Sequence, residues 1–119
     1  MTGINRELIP DARNSLFDKH LPGTSQVERL LRKEGKAHVF NDRATLDAVT
    51  EAIIDRGYLT GVEDETDDYE RYGLYFDDAI GYQVRADGSR IPLYYAEIKI
   101  IKGTDKYHVI PRTRPRRTN

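Results

Sequence analysis

Three imidazoles, at His20, His38 and His108, are the side chains of this sequence whose ordinary pKa lies near neutrality. Each is a candidate acid or base. His108 stands in the segment Lys106-Tyr107-His108-Val109-Ile110-Pro111-Arg112-Thr113-Arg114-Pro115-Arg116-Arg117, which brings a Tyr, a His, a Thr and four Arg together around the apolar pair Val109-Ile110. That set suits metal-free cleavage of RNA. The RNA supplies its own nucleophile, the 2′-hydroxyl. The protein then needs a base for that hydroxyl, an acid for the leaving 5′-oxygen, and donors for the charged phosphorane. A guanidinium presents a planar fork to phosphoryl oxygens, which points to Arg112 and Arg114, and a hydroxyl such as that of Tyr107 adds a further donor. If the last strand alternates from Val109, then His108, Ile110 and Arg112 share one face, and Tyr107, Val109 and Pro111 share the other.

A plainer reading stands beside each of these. The tail also fits an edge strand with a solvated basic end. His20, before the Pro22-Gly23 turn, also fits a surface or capping residue. His38, between Ala37 and Val39-Phe40, also fits a half-buried imidazole with its hydrogen bonds satisfied.

Composition removes other chemistries. There is no Cys, hence no disulfide, thiolate metal site or Cys nucleophile. The three His are far apart in sequence and lack the spacing of a metal site, so no cofactor is expected. No apolar run approaches the ~20 residues of a membrane span, and no membrane partner is expected. No phosphate-cradling Gly-rich loop is visible. The net charge is -1, but it is unevenly spread. Glu63, Asp64, Glu65, Asp67, Asp68 and Glu70 form an acidic run, read as a solvated loop or a docking surface for a basic partner. The C-terminal stretch is basic, and a local basic face attracts phosphate whatever the net charge.

The elements that must position these groups follow from periodicity. Residues 1–18 show no sustained period and read as a poorly structured lead-in, in which Leu16-Phe17 could dock. Residues 19–115 read as one α+β domain and 116–119 as a basic tail, in a chain of 119 residues that suits a single core. Ser25, with Glu28 three residues on, predicts a capped helix to about Glu34, stopped by Gly35. Ala37–Phe40 predicts a brief strand. Leu46, Val49 and Ile53 recur at helical spacing over 44–56, and Asn41 or Asp42 can cap that helix. From Tyr58 the period changes to two. Strands are expected at 58–62, 71–76, 80–85, 93–101 and 107–112, with a hairpin at Asp87-Gly88. The expected fold is α+β, with two N-terminal helices packed on a twisted antiparallel sheet of about five strands.

The segment Lys19-His20-Leu21-Pro22-Gly23-Thr24, followed by a helix with Leu30-Leu31-Arg32, resembles the entry of the pancreatic-ribonuclease-like toxin domains of bacterial contact-dependent inhibition systems. Phe40, the second helix and Val109-Ile110…Thr113-Arg114-Pro115 fall in the same order as that family's later features. The resemblance implies a catalytic role for His20, a phosphate ligand in Arg32 and a last-strand hydrogen-bond donor in Thr113. It also implies an immunity protein that neutralises the domain, and action in the cytoplasm. The sequence departs from the pattern at Pro22-Gly23, where the family has Gly-Lys, and at Arg114, where it has an aromatic residue. The segments His38-Val39-Phe40 and Tyr107-His108-Val109-Ile110-Pro111-Arg112-Thr113-Arg114-Pro115 are also similar to an uncharacterised bacterial domain family, a likeness that implies no activity.

Two functions are therefore expected. The first is a metal-free ribonuclease of the toxin kind, with His20, His38, His108 and Thr113 at the reaction and Arg32, Arg112, Arg114 and Tyr107 on the substrate. The second is a noncatalytic module that binds nucleic acid or protein, such as an adaptor or neutralising partner. Convergence separates them, because catalysis requires imidazoles and a guanidinium around one phosphate.

Overall fold

The computed structural model describes residues 3–10, 20–60 and 69–114. Its elements, in chain order, are β1 (Ile9–Pro10), α1 (Ser25–Glu34), β2 (Lys36–Phe40), α2 (Arg43–Arg56), β3 (Tyr58–Leu59), β4 (Tyr69–Tyr75), β5 (Gly81–Arg85), β6 (Arg90–Leu93), β7 (Tyr95–Ile101) and β8 (Lys106–Arg112). Strands β1, β8, β7, β4 and β3 form one sheet in that order, and β2, β5 and β6 form a second. All pairings are antiparallel except β1 with β8.

This overturns the expectation of two N-terminal helices on a single antiparallel sheet of about five strands. The fold is mixed α/β, with two helices and eight strands in two sheets among the described residues. β2 separates the helices and β1 precedes both. The physical reason is a bend. The run read as one strand over 93–101 breaks at Tyr94, and residues 76–80 break the facing chain at the same level. Backbone bonds bracket the break, from Phe76 N to Tyr94 O (2.8 Å) and from Ile80 N to Leu93 O (2.8 Å). One long hairpin thus supplies β4–β7 to the first sheet and β5–β6 to the second.

Local chemistry explains the helices. Thr24, rather than Ser25, caps α1, its hydroxyl accepting from Val27 N (3.3 Å). Gly35 closes α1 in the left-handed region at φ 78°, where a side chain would be strained. Asp42 caps α2 through Thr45 N and the Thr45 hydroxyl, both at 2.7 Å. Leu46, Val49 and Ile53 of α2 then bury against Ala96, Ile98, Ile100 and Val109 of the large sheet. A second cluster, Val27, Ala37 and Val39 with Leu30, Leu31, Tyr82 and Val84, fastens α1 to the small sheet. Residues 3–10, part of the expected lead-in, dock on the domain. Ile4 is buried, its amide donating to Ile54 O (2.7 Å), and β1 lies against β8. Leu16, Phe17 and the acidic residues 63–68 lie outside the described residues. No helix among those described is long and apolar enough to cross a membrane.

Ile53 is fully buried at the centre of the larger core. Ile53→Ala is expected to cost about 2–5 kcal/mol, read as a lower midpoint in urea unfolding with an unchanged slope.

Candidate functional site

The large sheet has two unlike faces. Tyr72 and Leu74 of β4, Ala96, Ile98 and Ile100 of β7, and Tyr107 and Val109 of β8 point toward α2. The opposite face carries polar rows set by the register. His108 pairs with Lys99 and Lys99 with Arg71; Ile110 pairs with Glu97 and Glu97 with Gly73; Arg112 pairs with Tyr95 and Tyr95 with Tyr75.

Glu97 organises this face. It is 0% exposed, and one carboxylate oxygen, Oε1, accepts from both Arg71 Nη1 (3.0 Å) and Arg112 Nη1 (3.1 Å). Its other oxygen accepts from the Tyr95 hydroxyl (3.4 Å). A buried carboxylate needs such partners, because desolvation costs several kcal/mol per ion. Burial, and then the Glu97 charge, push the Tyr95 phenol well above its ordinary value, so it remains a donor. Gly73 makes room for it, since a Cβ there would collide with the Tyr95 hydroxyl. Two guanidiniums share one carboxylate, in a group rich in cations. Lys99 adds to it, its ammonium 4.1 Å from the centre of the Tyr69 ring, while His108 meets the same ring edge-on at 5.9 Å.

β2 meets this face from the second sheet. His38 Nδ1 donates to the carbonyl of Pro111 in β8 (3.2 Å), and His38 Nε2 accepts from the Gln83 amide (2.9 Å). Gln83 Oε1 in turn accepts from Arg85 Nε (3.1 Å). His20 is held beside β2 by its carbonyl, which accepts from Phe40 N (2.8 Å), and its Nδ1 donates to His38 O (2.9 Å). A carbonyl only accepts, so the proton sits on Nδ1 and the basic nitrogen of His20 is Nε2.

Between β2 and β8 lies a cleft of about 400 Å³ whose lining includes His20, His38, His108, Lys99, Arg112 and Lys36. Its walls bring together side chains up to 92 positions apart in sequence, from His20 to Arg112. Among the described lining residues, Lys36, Lys99 and Arg112 stand against Glu34. The cleft therefore suits an anion with hydrogen-bonding oxygens.

Four of the expected site residues thus share one cleft: His20, His38, His108 and Arg112. The others do not line it. Tyr107 points to the opposite face, packed on the core, where burial and then Asp47 raise its phenol. Arg32 is exposed on α1, which contributes Leu30 and Glu34 to the cleft instead. Thr113 and Arg114 are exposed in the bend beyond β8. The acid or base expected at His38 gives way to a tether, since both its ring nitrogens are engaged across the two sheets. Lys99, Arg71, Glu97, Tyr95 and Gln83 were not anticipated as members of the site. The signal for three of them was the alternation of Tyr95, Glu97 and Lys99 with Ala96, Ile98 and Ile100, a polar face on a strand that proves to be central. Arg71 pairs with Glu97, and Glu70, the described member of the acidic run, pairs with Arg6 (3.1 Å). No group of three His, Asp or Glu with metal-holding geometry occurs among the described residues.

Two predictions follow from this geometry. Glu97→Ala strands two guanidiniums at 8% and 30% exposure, and is expected to cost about 3–5 kcal/mol in chemical denaturation. Burial lowers the His38 pKa below its ordinary 6.5; the Pro111 carbonyl opposes this, and Lys36 and Arg112 add to it. The folded state therefore resists protonation. Stability tied to His38 is present above pH 6.5 and is lost as pH falls from there through the lowered folded value. Thermal melts between pH 7.5 and 5 should show a steeper acid loss for wild type than for His38→Gln.

Comparison with curated proteins and with solved structures finds no match. A family model does match, over residues 6–116, which spans every element of both sheets, so the chain belongs to the family described as a domain of unknown function (DUF6972).

Proposed function

We propose that this chain is a metal-independent endoribonuclease that holds a phosphodiester in the cleft between β2 and β8. The observation that carries this reading is convergence. Imidazoles from the turn before α1, from β2 and from β8 line one cleft with Lys99 and Arg112. Scattered imidazoles would have favoured the noncatalytic module.

In the proposed reaction His20 and His108 act as the acid–base pair. One takes the proton of the 2′-hydroxyl as its oxygen attacks phosphorus. The other protonates the 5′-oxygen as the P–O bond breaks. The products are a 2′,3′-cyclic phosphate and a 5′-hydroxyl end. Lys99 and Arg112 neutralise the charge that gathers on the phosphoryl oxygens. Arg71 and Glu97 act as positioning residues for Arg112, because the shared carboxylate holds its guanidinium against the sheet. His38 positions His20 through its backbone carbonyl and ties β2 to β8. A ribonuclease of this kind acts as a toxin where RNA is cytoplasmic, and an immunity protein neutralising it would cover the same basic cleft.

Incubation of a mixed RNA pool with the protein in EDTA tests the reading. Cutting with 2′,3′-cyclic phosphate ends is expected, and His20→Ala or His108→Ala should lower its rate by about 10²–10⁴-fold. Arg112→Ala should lower kcat by a comparable factor if the guanidinium meets the transition state. A well-folded wild type that binds RNA without cutting it would leave the noncatalytic binding module as the function.

A further inference from the structure

The polar face of the large sheet continues beyond the cleft, and what lies there is aromatic. Tyr75, at the end of β4, pairs with Tyr95, which pairs with Arg112. Tyr58 of the edge strand β3 pairs with Gly73, which pairs with Glu97. Residues paired across antiparallel strands point to the same side, so both rings share the face that carries Arg71, Glu97 and Arg112. They are among the most exposed large hydrophobic side chains of the described residues, Tyr58 at 58% and Tyr75 at 60%. Tyr75 is propped at a tilt against the buried Tyr95 ring, with ring centres 4.7 Å apart. Tyr58 and Tyr75 are diagonal neighbours, about 7–8 Å apart, and Tyr75 lies two strand spacings, about 10 Å, from Arg112.

We propose that Tyr58 and Tyr75 form a nucleobase-stacking shelf that makes the adjoining cleft selective for single-stranded RNA. The inference rests on the phosphodiester-binding reading of the cleft and adds the substrate class. An aromatic ring beside a guanidinium cluster offers a splayed nucleotide what its two ends need, a π-face for the base and a cation for the phosphate. In a duplex the base faces are already stacked and cannot reach the rings. Neighbouring bases of an unpaired strand can take one ring each, because the two tyrosines are separated along and across the strands. The strand then runs over the sheet from the β3 edge toward the cleft beside β8. Arg71 and Arg112 lie beneath this path, and Lys36 and Lys99 line the cleft at its end, a concentration of positive charge. That charge favours a polyanion over an apolar peptide as the occupant.

Binding is measured by fluorescence anisotropy with a short 2′-O-methyl oligonucleotide, which cannot cleave itself, and with the same sequence as a duplex. Wild type should favour the single strand. The double variant Tyr58→Ala/Tyr75→Ala should bind the single strand about 5- to 100-fold more weakly and the duplex unchanged. The variant Tyr58→Phe/Tyr75→Phe keeps both π-faces and should stay within about two-fold of wild type. Both positions are exposed, and thermal melts verify that each variant is folded. Single-strand affinity unchanged in the double Ala variant overturns the shelf and leaves the rings to a protein partner. The cleavage reading fails separately: wild type that binds without cutting loses the ribonuclease but keeps the shelf. EDTA-resistant cutting with Ala variants of full affinity keeps the ribonuclease and loses the shelf. Wild type that binds neither oligonucleotide overturns both.

Discussion

A carboxylate with no access to solvent sits at the middle of the large sheet, and the polar half of the molecule is arranged around it. Glu97 is tolerable there only because Arg71 and Arg112, from the strands on either side, both donate to it and because the Tyr95 hydroxyl reaches its second oxygen. These contacts tie β4, β7 and β8 together through side chains as well as backbone. They impose local constraints in turn. Gly73 has to lack a side chain beneath Tyr95, and Tyr95 has to stay protonated. The group sets two guanidiniums at the floor of an open face.

The second constraint is the junction of the two sheets. A hairpin bent at Tyr94 and residues 76–80 sends its halves to different sheets, and Phe40, Ile80 and Leu93 pack across the junction into the larger core. His38 also ties the two sheets, through a relay from Arg85 to Gln83 to the imidazole to the Pro111 carbonyl. The relay works only with a neutral ring, since a protonated Nε2 would face the Gln83 amide donor. Burial, which lowers the His38 pKa, keeps it neutral. The cleft is the space this junction leaves, so its two walls belong to different sheets. An acid–base pair drawn from both walls would be set by the tether rather than by either sheet alone.

Much of this could be read along the chain. The spacing of Leu46, Val49 and Ile53 located α2, and the alternation from Val109 placed His108 and Arg112 on one face with Tyr107 on the other. That same alternation argued against Tyr107 as a substrate ligand. The alternation of Tyr95, Glu97 and Lys99 was visible as well, but its meaning was not. On an edge or a one-sided sheet such a row is solvated. On β7, flanked by β8 and β4, it becomes a buried network. Arg32, Thr113 and Arg114 show the converse, since their residue types fit the chemistry and their positions do not reach the cleft.

What the sequence determined by itself were the local choices: where helices start and stop, which residues of each strand share a face, and which chemistries lack their side chains altogether. These depend on propensity, capping and period, which act over a few residues. Tertiary structure alone decided that one hairpin serves two sheets, that β2 lies between the helices and closes against β8, and that His20 and His108, 88 positions apart, line one cleft. Those outcomes depend on which strand becomes central and on what a bend brings into contact. Both are set by long-range burial, and no window of the sequence contains both partners.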